Sequence, residues 1–598
     1  MDNDNKNLIA FVAVAFVLLF AYTTYSYFFI EPVARQAAAA RAKAAVAAQV
    51  AQTAVIAKPL LSRDQAVGAT PRVIIETPAL SGSMSLRGAR FDDLFLNDYH
   101  TEVAKTSPRI ELLRPEGMPD AYFAETGWLG ANLPGLPTSE TVWTLASGKT
   151  LSPGHPVVLT FTSPEGIGFT RRIDVDATAM FTISDTVTNP TAAAISLTPY
   201  GSVKRVGLPE GLGKSNIVHE GAIGVLGLDH PDLRQTTYKD WKKKGELDWP
   251  SKGGWLGVTD KYWMTVFIPA QSERFNATVR SAPGADGAPD LYESAYLASP
   301  RAIAAGGQIV EVTHMFAGAK TVPVLDAYGK SLGAPRFDDA VDWGILWFLT
   351  KPIFLLLDFF YHHVGNFGVA ILMLTVVIRL ITFPLANRGF EMGVKMKKIQ
   401  PELKELQAKH KDDPAAQQKE MMALYAREKV NPITGCLPVL FQIPVFYSLT
   451  KLFTVTIEMY HAPFFGWIHD LSARDPTTIM NLFGLIPWDP GMTPVIGGIL
   501  GGLLHVGVWP LLYGFSMLLS QAMSPQTGID PTQQMLFKLM PIFFTFILAQ
   551  YAVGLLIYWT WSSLITIVQQ YLMMRRFKVD NPIDDFINRF RGPREATG

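Results

Sequence analysis

One guanidinium group is the chain's clearest candidate for chemistry. Residues 365–388 read GNFGVAILMLTVVIRLITFPLANR, an apolar run with Arg379 inside it. A run of this length spans a bilayer as a helix. A guanidinium keeps its proton, so it does not enter hydrocarbon in a neutral form. On insertion scales an Arg at a helix centre costs about 2.5–3.5 kcal/mol. Arg379 lies nine residues before Arg388, which marks the inner surface; that is about 13 Å of helix. It lies thirteen residues after Asn366, on the outer side, or about 20 Å. The charge therefore belongs in the inner half of the bilayer. The interiors of the other apolar segments hold no Asp or Glu. They offer neutral groups instead, among them Thr375, Gln442, Ser516, Ser562 and Gln569. Two environments would satisfy the charge. One is a hydrated, positively charged concavity, closed outward and open to the cytoplasm. The other is a structural anchorage on backbone carbonyls or lipid phosphate. A buried unpaired arginine is expensive, which favours water.

Other constellations do not converge on a site. Gly207–Ser215 reads GLPEGLGKS, with Leu208 where a phosphate loop requires glycine. His219, His230 and His314 lack the Cys or carboxylate spacing of a metal site. The single cysteine, Cys436, excludes an intramolecular disulfide and a cysteine-rich zinc site. No Ser/His/Asp set has a supporting local motif. The expectation is a protein that is not an enzyme, with no cofactor and no metal. The 52 basic and 52 acidic residues give a net charge of zero, which argues against direct nucleic-acid recognition.

The elements that must position Arg379 follow from patterning. The chain has 598 residues, 48% of them hydrophobic and only 17% charged, a membrane-like balance for a chain long enough for several domains. Residues 1–30 contain an apolar run from Leu8 to Ile30 with an acidic flank, read as an uncleaved anchor rather than a signal peptide. Residues 31–70 are rich in Ala and Gln and form a linker. Residues 71–335 carry short alternating β-branched and aromatic runs broken by Gly, Pro, Asn and Asp. That is a large antiparallel β domain, a sandwich or barrel, with no run long enough to span.

Residues 341–364 are apolar but interrupted by Lys351, Pro352 and Asp358. They are read as an amphipathic helix in the outer interface, because a crossing there would put the following basic loop outside. Residues 365–388 form the second span. Residues 389–430 form a cytoplasmic helical hairpin. Met396, Ile399, Leu403 and Leu406 make its first apolar stripe, and Met421, Met422, Leu424 and Tyr425 its second. Asp413 and Pro414 suit the N-cap and first helical position of the second arm. Residues 432–578 supply spans three to six: Pro432 to about Met459, Pro494 to about Met523, and the run from Lys538 to about Met574, split at Gln550–Gly554. Residues 579–598 are a cytoplasmic tail. Both termini are expected inside, since the hairpin and the Arg575–Lys578 exit are basic. Arg35, Arg41 and Lys43, after the first span, point the other way.

These residues resemble the YidC/Oxa/Alb family of membrane protein insertases. The resemblance is carried by VIRLITFPL at 377–385, EMMALYAREKVNPITGCLPVLFQIPVFYSL at 420–449, APFFGWIHDLSARDP at 462–476, SQAMSPQTGIDPTQQM at 520–535 and GLLIYWTWSSLITIVQQ at 554–570. The anchor and outer β domain are similar to the Gram-negative form. The implied fold is a six-span α-helical membrane protein with a five-helix core and a periplasmic β-supersandwich. The implied activity is insertion and folding of nascent inner-membrane proteins through a hydrophilic groove. By resemblance, Arg379 is the groove's charge, Thr375 and Gln442 line it, and Tyr558 and Trp559 face the substrate path. The hairpin of Met396, Ile399, Leu403, Met421 and Tyr425 would receive substrate. Implied partners are nascent membrane proteins, the ribosome, the Sec translocon (SecYEG, SecDF) and membrane lipids, at the bacterial inner membrane. Family members carry a Phe-Pro-x-Gly type turn before the last helix; here it is Gln550-Tyr551-Ala552-Val553-Gly554. Two other classes fit parts of the chain. A secondary transporter would require inverted repeats, and a membrane-tethered, sugar-active or carbohydrate-binding protein would require a cleft in the β domain.

Overall fold

The computed structural model describes residues 61–591, apart from 131–132, 210, 213–217, 285–287, 411–412, 431, 489, 494–500, 503 and 524–530. The N-terminal anchor, most of the Ala-rich linker, the Gly497–Gly498 pair, the 524–530 turn and residues 592–598 lie outside the described residues. The chain divides into two compact units at Ala340/Val341.

The first unit is β-rich. Its described strands form an 11-stranded and a 9-stranded sheet, antiparallel but for one short parallel pairing of Ile74–Ile75 with Thr150–Leu151. Alternation builds them. In Gly168–Val175 the residues Phe169, Arg171, Ile173 and Val175 are buried while Thr170 and Arg172 are exposed, the period-two pattern of a half-buried strand. Its core is aromatic: Phe91 and Phe181 meet edge-on at 5.0 Å, and Trp128, Trp241 and Trp255 are fully buried. The large antiparallel β domain expected over 71–335 is therefore present. Short helices α1 (Arg63–Gly68), α2 (Tyr238–Lys244) and α3 (Val322–Leu332) accompany it.

A row of alternating charges crosses five neighbouring strands of the larger sheet. Arg280 bonds Glu293, whose carboxylate lies 3.7 Å from the Lys204 ammonium. Lys204 bonds Glu125, which lies 3.3 Å from Arg90, and Arg90 bonds Glu116. Register explains the row, because Arg280 and Lys204 both stand opposite Glu293 on its two neighbouring strands.

The second unit is helical. Helices α4 (Trp347–Val364) and α5 (Phe367–Lys409) are joined at Gly365, whose φ of 69° is the left-handed conformation that suits glycine at a helix end. Asn366 caps α5 by accepting from the Val369 amide at 3.1 Å. Helix α5 runs unbroken for 43 residues through Pro384 and Pro401. The expected second span and first hairpin arm are therefore one continuous helix, and Arg388 marks no helix end. Helix α6 (Pro414–Arg427) returns, capped by Asp413, which accepts from the Ala415 and Ala416 amides at 3.1 and 3.0 Å. Helices α7 (Pro432–Val455), α8 (Val508–Met523), α9 (Pro531–Leu548), α10 (Val553–Arg576) and α11 (Pro582–Arg591) follow. The long apolar run breaks between Leu548 and Val553, as its length requires. Of the span expected from Pro494, residues 494–500 and 503 lie outside the described residues; residues 505–507 are non-helical, and α8 begins at Val508.

Among the described residues one helix, Phe367–Met396, is long and apolar enough to cross a membrane by length and composition. The surface of the unit extends that signal. Leu380 and Ile381 on α5, Leu440, Phe441 and Ile443 on α7, Phe515 on α8, Phe543 on α9 and Val568 and Leu572 on α10 are all exposed. Rows of exposed large apolar side chains on this scale belong to a protein whose surroundings are hydrocarbon.

Candidate functional site

Arg379 sits on α5 with its guanidinium turned toward α10. Its Nε donates to the Ser562 hydroxyl at 2.8 Å, and its Nη2 bonds the same oxygen. Among the described residues no carboxylate lies close to it. Its partner is thus one neutral hydroxyl, not a backbone carbonyl. Ser562 lies four residues after Tyr558, one helical turn away on the same face of α10.

Tyr558 is fully buried, and its hydroxyl is 3.4 Å from Gln442 Nε2, which donates from α7. Trp559 is buried in an aromatic cluster: Phe446 of α7 stacks on it at 5.0 Å, Tyr513 of α8 lies at 5.8 Å and Tyr551 at 5.9 Å. Thr375 is fully buried one turn before Arg379, and its hydroxyl donates to the Ile371 carbonyl at 2.7 Å. The structure therefore brings Arg379, Gln442 and Tyr558 to one polar locus. It makes Thr375 and Trp559 packing residues beside it. Arg379 and Gln442 are partly exposed, whereas Thr375, Tyr558 and Trp559 are not. Toward the C-terminal end of α10 the polar seam continues: Gln569 Nε2 donates to Asn387 Oδ1 at 2.6 Å, and Ser520 lies 3.4 Å from Gln570.

At the opposite end, one loop packs across the starts of α8 and α10. The Leu471 and Ala473 carbonyls accept the first amides of α10, from Gly554 at 3.1 Å and Val553 at 2.7 Å. The Asp475 carboxylate accepts the Trp509 amide of α8 at 2.8 Å and the Trp467 indole at 3.2 Å. Thr477 accepts the Val508 amide at 3.0 Å, and His505 Nε2 donates to the Asp475 carbonyl at 2.8 Å. Residues 471–477 thus satisfy orphan amides at the starts of two helices. The altered turn at 550–554 is held by this loop, and Gln550 accepts from Arg474 at 2.9 Å. Apolar side chains seal the same end, with Ile468, Leu471, Val506 and Ala549 buried.

Three contributors escaped sequence reasoning. Ser562 was one neutral candidate among many; its one-turn spacing from Tyr558 was the usable signal. Lys451, a lone cation in an apolar run, is buried and pairs with Asp342 at 2.6 Å. Asp475 gave no signal, because its partners are remote backbone amides. The hairpin residues divide between buried and exposed positions. Met396 and Ile399 form a buried cluster with Val430, flanked by Met392 and Tyr425. Leu403 is buried, Met421 is partly buried and Met422 is exposed.

Comparison with known proteins matches both units. The family described as "60Kd inner membrane protein" matches residues 359–581, and "YidC periplasmic domain" matches residues 72–356. A protein of Caulobacter sp. (strain K31) named "Membrane protein insertase YidC" is 52% identical, covering 99% of both chains. One of the same name from Sinorhizobium medicae (strain WSM419) is 47% identical over 86% of this chain and 84% of its own. Among solved structures, an active YidC insertase with its first transmembrane domain resolved aligns at 16% identity and TM-score 0.34, covering 86% of this chain and 94% of its own.

Proposed function

The chain belongs to the YidC family of membrane protein insertases, and from that premise we propose how this molecule inserts its substrates. It is an inner-membrane protein with a β-rich periplasmic domain, and it is an insertase rather than an enzyme. Its substrates are nascent membrane proteins. The observation that supports the mechanism is that, among the described residues, Arg379 pairs with nothing stronger than the Ser562 hydroxyl. A full positive charge with one neutral protein partner, in an apolar unit, demands solvation. A hydrated groove between α5, α7 and α10, entered from the cytoplasm, meets that demand.

In this reading a hydrophilic segment of the nascent chain enters the groove. Arg379 attracts its acidic residues, and the apolar surroundings strengthen that attraction. The flanking apolar segment partitions into lipid and supplies the driving free energy. Gln442 offers a second polar contact, while Tyr558, Trp559 and Thr375 hold the wall. The hairpin of α5 and α6 receives the substrate first. The outer loop at 471–477 keeps the far end shut, so the polar segment leaves only with its apolar flank. Six spans, cytoplasmic termini, and engagement of the ribosome and the Sec translocon complete the reading.

The test is reconstitution in liposomes with a small single-span substrate bearing an acidic tail. Arg379→Glu is expected to abolish insertion of that substrate. Insertion at the wild-type rate would overturn the attraction mechanism.

A further inference from the structure

The last helix, α11, is short and two-faced. It reads PIDDFINRFR from Pro582 to Arg591. Ile583, Phe586 and Ile587 are spaced i, i+3, i+4, one stripe on a helix. Asp584, Asp585 and Asn588 fall away from that stripe.

The start of the stripe packs on protein. Ile583, with Phe577 and Val579, lies against a buried cluster of Val394 (α5), Met523 (α8), Ile567 and Met574 (α10). The stripe then continues beyond the protein, since Phe586 is 62% exposed and Ile587 37%.

The depth of α11 is fixed by two further contacts. Tyr571 donates to Asp584 at 2.9 Å, and Arg575 lies 3.6 Å from the same carboxylate. Asn581 caps the helix, accepting the Asp584 amide at 2.9 Å. Helix α11 is therefore folded back to the level of the final turns of α10 and does not hang below them. Those turns carry exposed apolar Val568 and Leu572 and then Arg575 and Arg576, the order met where a spanning helix leaves the inner leaflet.

We propose that α11 is an interfacial membrane anchor whose Phe586–Ile587 edge lies among the headgroups and upper acyl chains of the inner leaflet. Two observations select lipid over another protein. The helix is held beside the exit of a spanning helix, and Arg575, Arg576 and Lys578 next to it complement anionic headgroups. The anchor would brace the cytoplasmic end of α10, the helix that carries Ser562 and Tyr558.

The inference rests on α10 crossing the membrane, as read above, and the experiment separates the two. The full chain, carrying Cys436→Ser, receives one cysteine at Phe586, Asp585 or Leu564 (exposed, mid-α10). Each is labelled with the environment-sensitive fluorophore NBD. The proteins are reconstituted in phosphatidylethanolamine/phosphatidylglycerol vesicles with and without brominated acyl chains. The label at Phe586→Cys is expected to be blue-shifted and quenched by bromine, and the label at Asp585→Cys to be neither. Leu564→Cys must report hydrocarbon. A water-like, unquenched signal at 586 beside a quenched one at 564 overturns the anchor alone. A blue-shifted but unquenched signal at 586 also overturns it, since a second copy or another protein would then cover the stripe. A water-like signal at 564 overturns the spanning reading and the anchor together.

Discussion

At the scale of single residues, the partner of Arg379 decides what its substitution should do. The Ser562 hydroxyl accepts from two guanidinium nitrogens, and a hydrogen bond to a charged group is worth about 1.5–3 kcal/mol. Ser562→Ala leaves the charge in place and frees it to be solvated. It should therefore reduce insertion of an acidic-tailed substrate far less than Arg379→Ala does, as measured by protease protection of substrate in proteoliposomes. Lys451 sets a different case. It is buried and paired with Asp342. Lys451→Met alone takes the ammonium away from the half-buried Asp342 carboxylate, and breaking a buried pair costs up to about 3–5 kcal/mol. The double change Lys451→Met with Asp342→Leu should recover most of that loss, because it removes both charges. Thermal unfolding of the three variants in detergent checks the order. Sequence patterning marked Arg379 at once, since a cation in an apolar run is conspicuous. Lys451 is equally conspicuous, but its partner Asp342 lies 109 positions away, so no local pattern pairs them.

At the scale of elements, the outer loop does what the helices' own sequences do not. Asp475 and Thr477 cap α8 from about thirty residues upstream, and the Leu471 and Ala473 carbonyls accept the first amides of α10. Asp475→Ala removes a remote cap and leaves buried amides without an acceptor, at a cost of about 2–4 kcal/mol. The expected result is a lowered unfolding midpoint, with faster hydrogen exchange confined to the first turns of α8 and α10. Uniform exchange across all helices would refute the local role. The hairpin shows the contrast. Its turn was legible residue by residue, as Asp413 and Pro414 form the cap they spell. The continuity of α5 was not legible, because Pro384 suggests a break and only packing along the helix's length holds it intact.

At the scale of the whole molecule, the two units carry opposite logics. The β unit buries its aromatics and runs a line of alternating charges across its larger sheet. Burial alone would raise the Glu293 carboxyl, but Lys204 and Arg280 outweigh it and hold it below the usual carboxylate range. A depressed folded-state value means its stabilisation is present above the unfolded value of about 4.3 and is lost as pH falls through the lower folded value. The β unit should therefore lose stability on acidification, and Glu293→Gln should flatten that dependence in denaturant titrations of the full chain followed by tryptophan fluorescence. The helical unit exposes its apolar rows and buries Lys451 among its helices, the inverse of a soluble core. Composition and periodicity alone determined the membrane part, the β part and the presence of a cation, Arg379, within an apolar run. Those properties are local, since hydropathy, alternation and depth along a helix are each read from neighbouring residues. Only the tertiary structure decided that Ser562 answers Arg379 and that Lys451 is neutralised by Asp342. It alone showed that one loop caps α8 and α10 and that α11 folds back beside α10. Each of these joins residues from about a dozen to nearly two hundred positions apart, and such contacts are selected by packing among many sterically possible pairs, which no local pattern encodes.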